Sequence, residues 1–436
     1  MDFVDGTLHR HNSSNIQNFF LYWRVHLNET RVHSWISTVI RGNVKELGLY
    51  LTQTQPLFIP VSLFTCESLT SLELGAQHNV TLPKYISFPR LKRLKLYKLV
   101  FSDECWNDEL FSNSTALEEL ILDFCIFDMR SFCISIPTLK LLKIHCLVIY
   151  DGLQDCALKI NAPSLLTFAY SADVAKEYAI PSFLTLVEAV VCFKFERKGA
   201  QISRLLRALA HVKRLTVNDS TLQTMCSAYD PSNSLLTFHN VKMLNVSDVL
   251  TTDQGLIALL KAVPNLESLV FNEYINDERE EDSDEDDEDD SEGAQEDGDE
   301  DDDVDSVEGE NNLGNEDEGD VSDAAECDDK KEGESNDEDD SWALGTVTTG
   351  CLFPHLKSVF FEEFAGNPRE LKWVKLILKN AKALQTMNIC YYDTALCFVN
   401  GKSEKELMEE IPSFPRASTG CVVRFRSLDG NSVVIH

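Results

Sequence analysis

Residues Leu117-Glu118-Glu119-Leu120-Ile121-Leu122-Asp123-Phe124-Cys125-Ile126-Phe127 place apolar side chains at Leu117, Leu120, Leu122, Cys125 and Phe127. Leu120 and Leu122 stand two apart, so in a strand they share one face, while Glu119, Ile121 and Asp123 share the other. So short a strand cannot bury itself alone, and the stretch makes sense only with copies of itself alongside.

The copies are there. Apolar-x-x-apolar-x-apolar recurs at Ile16/Phe19/Leu21, Val44/Leu47/Leu49, Leu69/Leu72/Leu74, Leu91/Leu94/Leu96 and Leu139/Leu142/Ile144. It weakens at Leu165/Phe168/Tyr170 and Leu186/Ala189/Val191, then recovers at Val212/Leu215/Val217, Val241/Leu244/Val246 and Leu266/Leu269/Phe271. Successive first residues are 28, 25, 22, 26, 22, 26, 21, 26, 29 and 25 apart, within the ~20–29 residues of leucine-rich repeats. The fold class that follows is α/β: a leucine-rich-repeat solenoid with a curved parallel sheet and helical or irregular convex segments. Some return segments read as helices. Ile202, Leu205, Leu206 and Leu209 have helical spacing, as do Leu256, Leu259, Leu260 and Val263. Leu371, Val374 and Leu378 follow Asn367 as N-cap and Pro368 at the first helical position. Val32, Trp35, Ile36 and Val39 suggest a helix stopping at Gly42.

The charge is confined to one place. Residues 277–341 hold 37 of the 72 acidic residues and three of the 39 basic ones, leaving 35 acids and 36 bases for the rest of the 436. The tract reads as a disordered acidic insertion in a near-neutral folded chain. Past it the pattern resumes at Leu356/Val359/Phe361 and Leu384/Met387/Ile389. Leu266 and Leu356 are 90 residues apart, and without the 65 of the tract 25 remain, one repeat. The tract therefore reads as an insertion into a continuous array, tolerable because loop-closure entropy grows only logarithmically with length. Ser283 and Ser335, each followed by acidic residues, are expected acidophilic-kinase sites.

Several chemistries find no support. No apolar run reaches the ~18–20 residues of a membrane-spanning helix, and Met1-Asp2-Phe3-Val4-Asp5 has no secretory character. The thirteen cysteines contain no Cys-x-x-Cys pair, which suggests reduced thiols in cytoplasm and/or nucleus and neither a disulfide framework nor a zinc site. Gly345 to Gly350 has phosphate-loop spacing but is followed by Cys351-Leu352, with no lysine to reach a phosphate. No catalytic residue, metal site or cofactor is expected, and no enzymatic activity.

Beyond its periodicity the chain resembles the plant F-box proteins with leucine-rich repeats and a C-terminal FBD region. The likeness lies in Phe3-Val4-Asp5, Ile16-x-x-Phe19, Arg31-Val32-x-x-Trp35-Ile36 and Asn43-Val44-x-Glu46-Leu47. It continues through Phe353-Pro354-His355-Leu356-Lys357, Phe364-x-Gly366, Ala383-Leu384-x-x-Met387 and Ser413-Phe414-Pro415-Arg416-Ala417-Ser418. Periodicity, composition and the resemblance together divide the chain into a strand-helix cap over 1–42, repeats over 43–276, the acidic insertion over 277–341, which is not a feature of that family, last repeats and FBD-like region over 342–425, and a tail over 426–436. In that family a helical F-box precedes the Phe-Val-Asp segment and docks on an Skp1-type adaptor of a cullin ubiquitin ligase. Here Met1 stands directly before that segment, so the F-box is expected to be missing, and Skp1-cullin binding is expected only if one is supplied.

The resemblance implies a substrate-binding arm, non-catalytic, holding a target protein on the concave face. By alternation that face includes Arg93, Lys95 and Tyr97; Glu119, Ile121 and Asp123; Leu141, Lys143 and His145; and Arg214, Thr216 and Asn218. Mixed charge with apolar side chains favours a protein partner over nucleic acid. The alternative is an acidic leucine-rich scaffold that binds basic proteins such as histones through the tract, or inhibits.

Overall fold

The computed structural model describes residues 2–10, 16–23, 28–51, 59–76, 86–103, 111, 114–146, 151–181, 183–195, 201–227, 237–247, 253–272, 352–391, 404–427 and 432–435. The acidic tract, with Ser283 and Ser335, lies outside the described residues.

Helix α1 (Asp2–Arg10) precedes strand β1 (Asn18–Trp23) and helix α2 (Glu29–Arg41). Strands β2 (Glu46–Leu51), β3 (Ser71–Ala76), β4 (Arg93–Tyr97) and β5 (Val100–Ser102) follow. Next come β6 (Glu119–Asp123), β7 (Ile126–Asp128), β8 (Ser131–Ser135), β9 (Leu141–His145) and β10 (Ala157–Asn161). The middle holds β11 (Thr167–Ala172), β12 (Glu177–Ala179), β13 (Glu188–Phe193), α3 (Ile202–Ala208), β14 (Arg214–Asn218) and α4 (Asp219–Ser227). β15 (Met243–Ser247), α5 (Asp253–Ala262) and β16 (Ser268–Asn272) lead to the acidic tract. Beyond it lie β17 (Ser358–Phe361), α6 (Pro368–Asn380), β18 (Thr386–Tyr391), α7 (Glu404–Ser413), β19 (Val422–Ser427) and β20 (Ser432–Ile435).

Fifteen of these strands make one sheet, ordered β1-β2-β3-β4-β6-β9-β11-β13-β14-β15-β16-β17-β18-β19-β20. Leu47, Leu72, Leu94, Leu120 and Leu142 pair in one parallel row, and Leu49, Leu74, Leu96, Leu122 and Ile144 in the next. All ten are buried, each worth about 1.5–3 kcal/mol relative to exposure. The register continues across the acidic tract: β16 pairs directly with β17, Leu269 opposite Val359 and Phe271 opposite Phe361. This is the leucine-rich-repeat architecture read from the periodicity.

On the return side, two smaller parallel sheets (β5 with β7, and β8 with β10 and β12) and the helices cover the leucine rows. Phe101, Phe127 and Phe132 fill the gap between layers, with ring centroids 4.8–5.5 Å apart. The helix ends follow from local chemistry. Asn28 caps α2 by accepting from Thr30 N, and the helix stops at Gly42. Asn367 and Glu370 form a reciprocal capping box on α6, with Pro368 at its start. α2 buries Val32, Trp35, Ile36 and Val39, and Trp35 Nε1 donates to Asp5 on α1 at 2.5 Å.

Within the expected tail, Ser432–Ile435 pairs antiparallel with β19 and ends the sheet. A bare β19 would expose a full row of backbone donors and acceptors, and this strand satisfies them.

One ion pair sits inside the layers. Asp151 is fully buried; its carboxylate accepts from Leu153 N (2.9 Å), Asp173 N (2.9 Å) and Lys194 Nζ (3.2 Å). Tyr170 donates to the Asp173 carbonyl beside it, and burial pushes the Tyr170 phenol well above its ordinary range.

Candidate functional site

The sheet face opposite the leucine rows is where the sequence-derived binding residues stand. Rows run across the strands: Arg93 beside Glu119, Lys95 beside Ile121 and Lys143, Tyr97 beside Asp123 and His145. Side chains of neighbouring strands on one face sit close enough to interact, and here they pair by charge. Arg93 Nε donates to Glu119 Oε2 at 2.7 Å and Arg214 to Glu188 Oε2 at 2.8 Å. The hydrogen bond and charge of the partner carboxylate raise each guanidinium further above its already high range.

Asp123 is the hub. His145 Nδ1 lies 3.1 Å from its Oδ1, Lys95 Nζ 3.6 Å from its Oδ2, and Lys143 Nζ 3.9 Å from its Oδ1. Burial pushes the carboxyl up, but the His145 hydrogen bond and the nearby Lys143, His145 and Lys95 charges outweigh it and hold Asp123 below its ordinary range. Two expected contact residues are therefore not open surface. Asp123 and His145 are only 8% and 7% exposed, because Phe124 turns back against the His145 ring (centroids 5.2 Å apart). Arg93, Lys95, Tyr97, Glu119, Lys143 and Arg214 keep partial or full exposure.

An aromatic stripe that the repeat pattern did not announce also runs along this face. Tyr22 stacks on Tyr50 (4.6 Å, 3° between planes), Tyr50 meets Tyr97 (5.8 Å), and Tyr97 meets Phe124 edge-on (5.5 Å). Two glycines make the room. A Cβ on Gly48 would lie 2.3 Å from the Phe20 ring, and one on Gly75 would lie 2.6 Å from Tyr50 and 3.2 Å from Tyr97. The signal was present: the residue after the second core position reads Tyr22, Tyr50, Gly75, Tyr97 in consecutive repeats. Lys98 and Phe124, each just past its strand, both take a positive φ of 54°. Lys98 Nζ folds over Tyr97 (5.0 Å) and Phe124 (6.0 Å). Among the described residues no group of three His, Cys, Asp or Glu is placed to hold a metal, and no helix is long and apolar enough to cross a membrane.

Comparison with known proteins bears on this geometry. The family model "FBD-associated F-box protein At5g56370, LRR repeats" matches residues 32–179, and the model "FBD" matches residues 348–389. The two segments are thus similar to the repeats and the FBD region of FBD-associated F-box proteins. The chain is 26% identical to the Arabidopsis thaliana F-box/LRR-repeat protein At3g59190 over 293 residues, 62% of this chain and 74% of that protein. It is 26% identical to the F-box/LRR-repeat protein At3g59210 of Arabidopsis thaliana, covering 62% of this chain and 59% of that one. To the putative F-box/FBD/LRR-repeat protein At3g59240 of the same plant it is 29% identical, covering 62% and 56%. The match thus spans little more than half the length of two of these three relatives. No solved structure matches the chain.

Proposed function

We propose that this chain is the target-recognition arm of an F-box-type ubiquitin ligase receptor. It holds a protein on the concave, open face of its repeats and catalyses no reaction itself. The observation that carries this reading is the open face. It joins paired charges of both signs to exposed aromatic rings, the mixture of protein-binding surfaces, in a chain whose repeats and FBD region match F-box proteins. Direct nucleic-acid binding is disfavoured because Glu119, Asp123 and Glu188 stand among the basic residues and would repel a phosphate backbone. Skp1-cullin engagement requires an F-box, and ahead of β1 the described residues form one helix, α1, docked on α2. The site of action is cytoplasm and/or nucleus, supported by eight cysteine thiols among the described residues, six of them buried.

The test is capture of proteins from plant extract by the full chain and by an Arg93→Glu/Arg214→Glu variant, followed by reconstitution. A true target is lost with the variant. It becomes ubiquitinated when an F-box is fused in frame and Skp1 and cullin are added. Calorimetry should show tight Skp1 binding only for the fused form. Capture that ignores the open-face substitutions would refute the reading. The acid-rich composition of residues 277–341 favours a second reading, a scaffold for basic proteins such as histones; capture of histones that vanishes on deleting 277–341 would support it.

A further inference from the structure

The open face changes character along the sheet. Across β1–β3 it is aromatic, with Phe20 48% and Tyr22 64% exposed, and its carboxylates there are Glu46 and Glu73, the latter accepting from the Tyr50 hydroxyl at 2.6 Å. Across β4–β9 the balance reverses. Arg93, Lys95, Lys98 and Lys143 outnumber the two carboxylates these strands carry on the face, Glu119 and Asp123, even with Glu73 of β3 beside Lys95. Among the described residues Lys98 makes no ion pair and sits exposed over the rings of Tyr97 and Phe124.

We propose that this stripe is the seat of the target and takes an extended acidic peptide segment bearing an aromatic or aliphatic side chain beside its carboxylates. This rests on the concave-face reading above and names its partner chemistry. The apolar side chain lies on Phe20 and Tyr22; the carboxylates lie toward Lys95, Lys98 and Lys143, where the positive charge is in excess. Shape and order favour it. The rings are held by stacking over Gly48 and Gly75 before any partner arrives, so little side-chain entropy is lost on binding. From β1 to β9 the stripe crosses five strand spacings of about 4.8 Å, roughly 24 Å, the length of about seven extended residues. Single-stranded nucleic acid, the other polyanion that uses aromatic rings, fits less well. Tyr22 and Tyr50 are stacked on each other at 4.6 Å, leaving no slot for a base, and Glu46 and Glu73 repel phosphates beside them.

The experiment is selection of a displayed random heptapeptide library on the full 436-residue chain. The best peptide is then measured by fluorescence anisotropy against folded variants checked by circular dichroism. Enriched peptides should combine Asp or Glu with Phe, Leu or Ile. Tyr22→Ala and Lys98→Glu should each weaken binding by about tenfold, as removal of an anchor at a small interface does, and raised salt should weaken it further. Arg424→Glu, on the same face at exposed β19, should leave it unchanged. Enrichment of basic or uncharged peptides, no enrichment at all, or tighter binding of a labelled oligouridine overturns the proposal. If Arg424→Glu abolishes binding and Tyr22→Ala does not, the stripe is wrong while concave-face recognition stands. If neither substitution acts, both fail.

Discussion

Asp253→Ala should weaken the join between the repeats that precede the acidic tract and those that follow it. Asp253, in the first turn of α5, accepts from Trp373 Nε1 at 2.8 Å and from Arg369 Nε at 2.9 Å, both on α6 and 120 and 116 positions along the chain. Trp373 is 1% exposed, so the substitution takes the acceptor from a buried indole N–H, a loss of about 1–3 kcal/mol. The Arg369 pair has about a fifth of each side chain exposed and adds at most about 1 kcal/mol. The expected destabilisation is about 2–3 kcal/mol, read from urea unfolding and from faster amide exchange in α6. Asp253→Asn keeps an oxygen for the indole and loses only the charge, so it should cost about 1 kcal/mol. Trp373→Phe in the Ala background should add less than it does alone, with a coupling of about 1–2 kcal/mol. The reasoning is refuted if Asp253→Ala unfolds within about 0.5 kcal/mol of the parent, or if Asn costs as much as Ala.

Lys194→Met strands the buried Asp151 carboxylate with only its backbone donors and should cost about 3 kcal/mol; adding Asp151→Asn should recover part of it, and a urea midpoint unmoved by either change would contradict this. Glu267, hydrogen-bonded by Lys242 and Lys357 at 2.6 Å each, is lowered from 4.5 to about 2 by those bonds. A carboxyl lowered in the fold contributes stability above its unfolded value and loses it as pH falls from about 4.5 toward 2. Acid titration of the melting temperature should therefore be shallower over that window in Glu267→Gln than in the parent, and parallel curves would disprove the link. Deleting 277–341 should leave the melt cooperative, because β16 and β17 already pair; an aggregating or broadly melting deletion variant would show that the tract is no simple insertion.

The ladder was legible in the repeat spacing alone. An apolar pair two residues apart, repeated at leucine-rich spacing, has one way to bury itself, in register with its copies. That predicted the pairing of Leu94 with Leu120 and, across the acidic tract, of Leu269 with Val359. The caps at Asn367 and Gly42 were legible for the same reason, since each depends on residues within one turn. Contacts between residues brought together by stacking repeats could not be read that way. Periodicity tells which face a side chain leaves from, but not how far it leans. Phe124 turning onto His145 removed two expected contact residues from the surface, and rings closing over Gly48 and Gly75 built a surface that no single repeat contains. Asp151 with Lys194 and Asp253 with Trp373 lie 43 and 120 positions apart. No local pattern marks such pairs, because their energy comes from burial that exists only once the repeats have stacked.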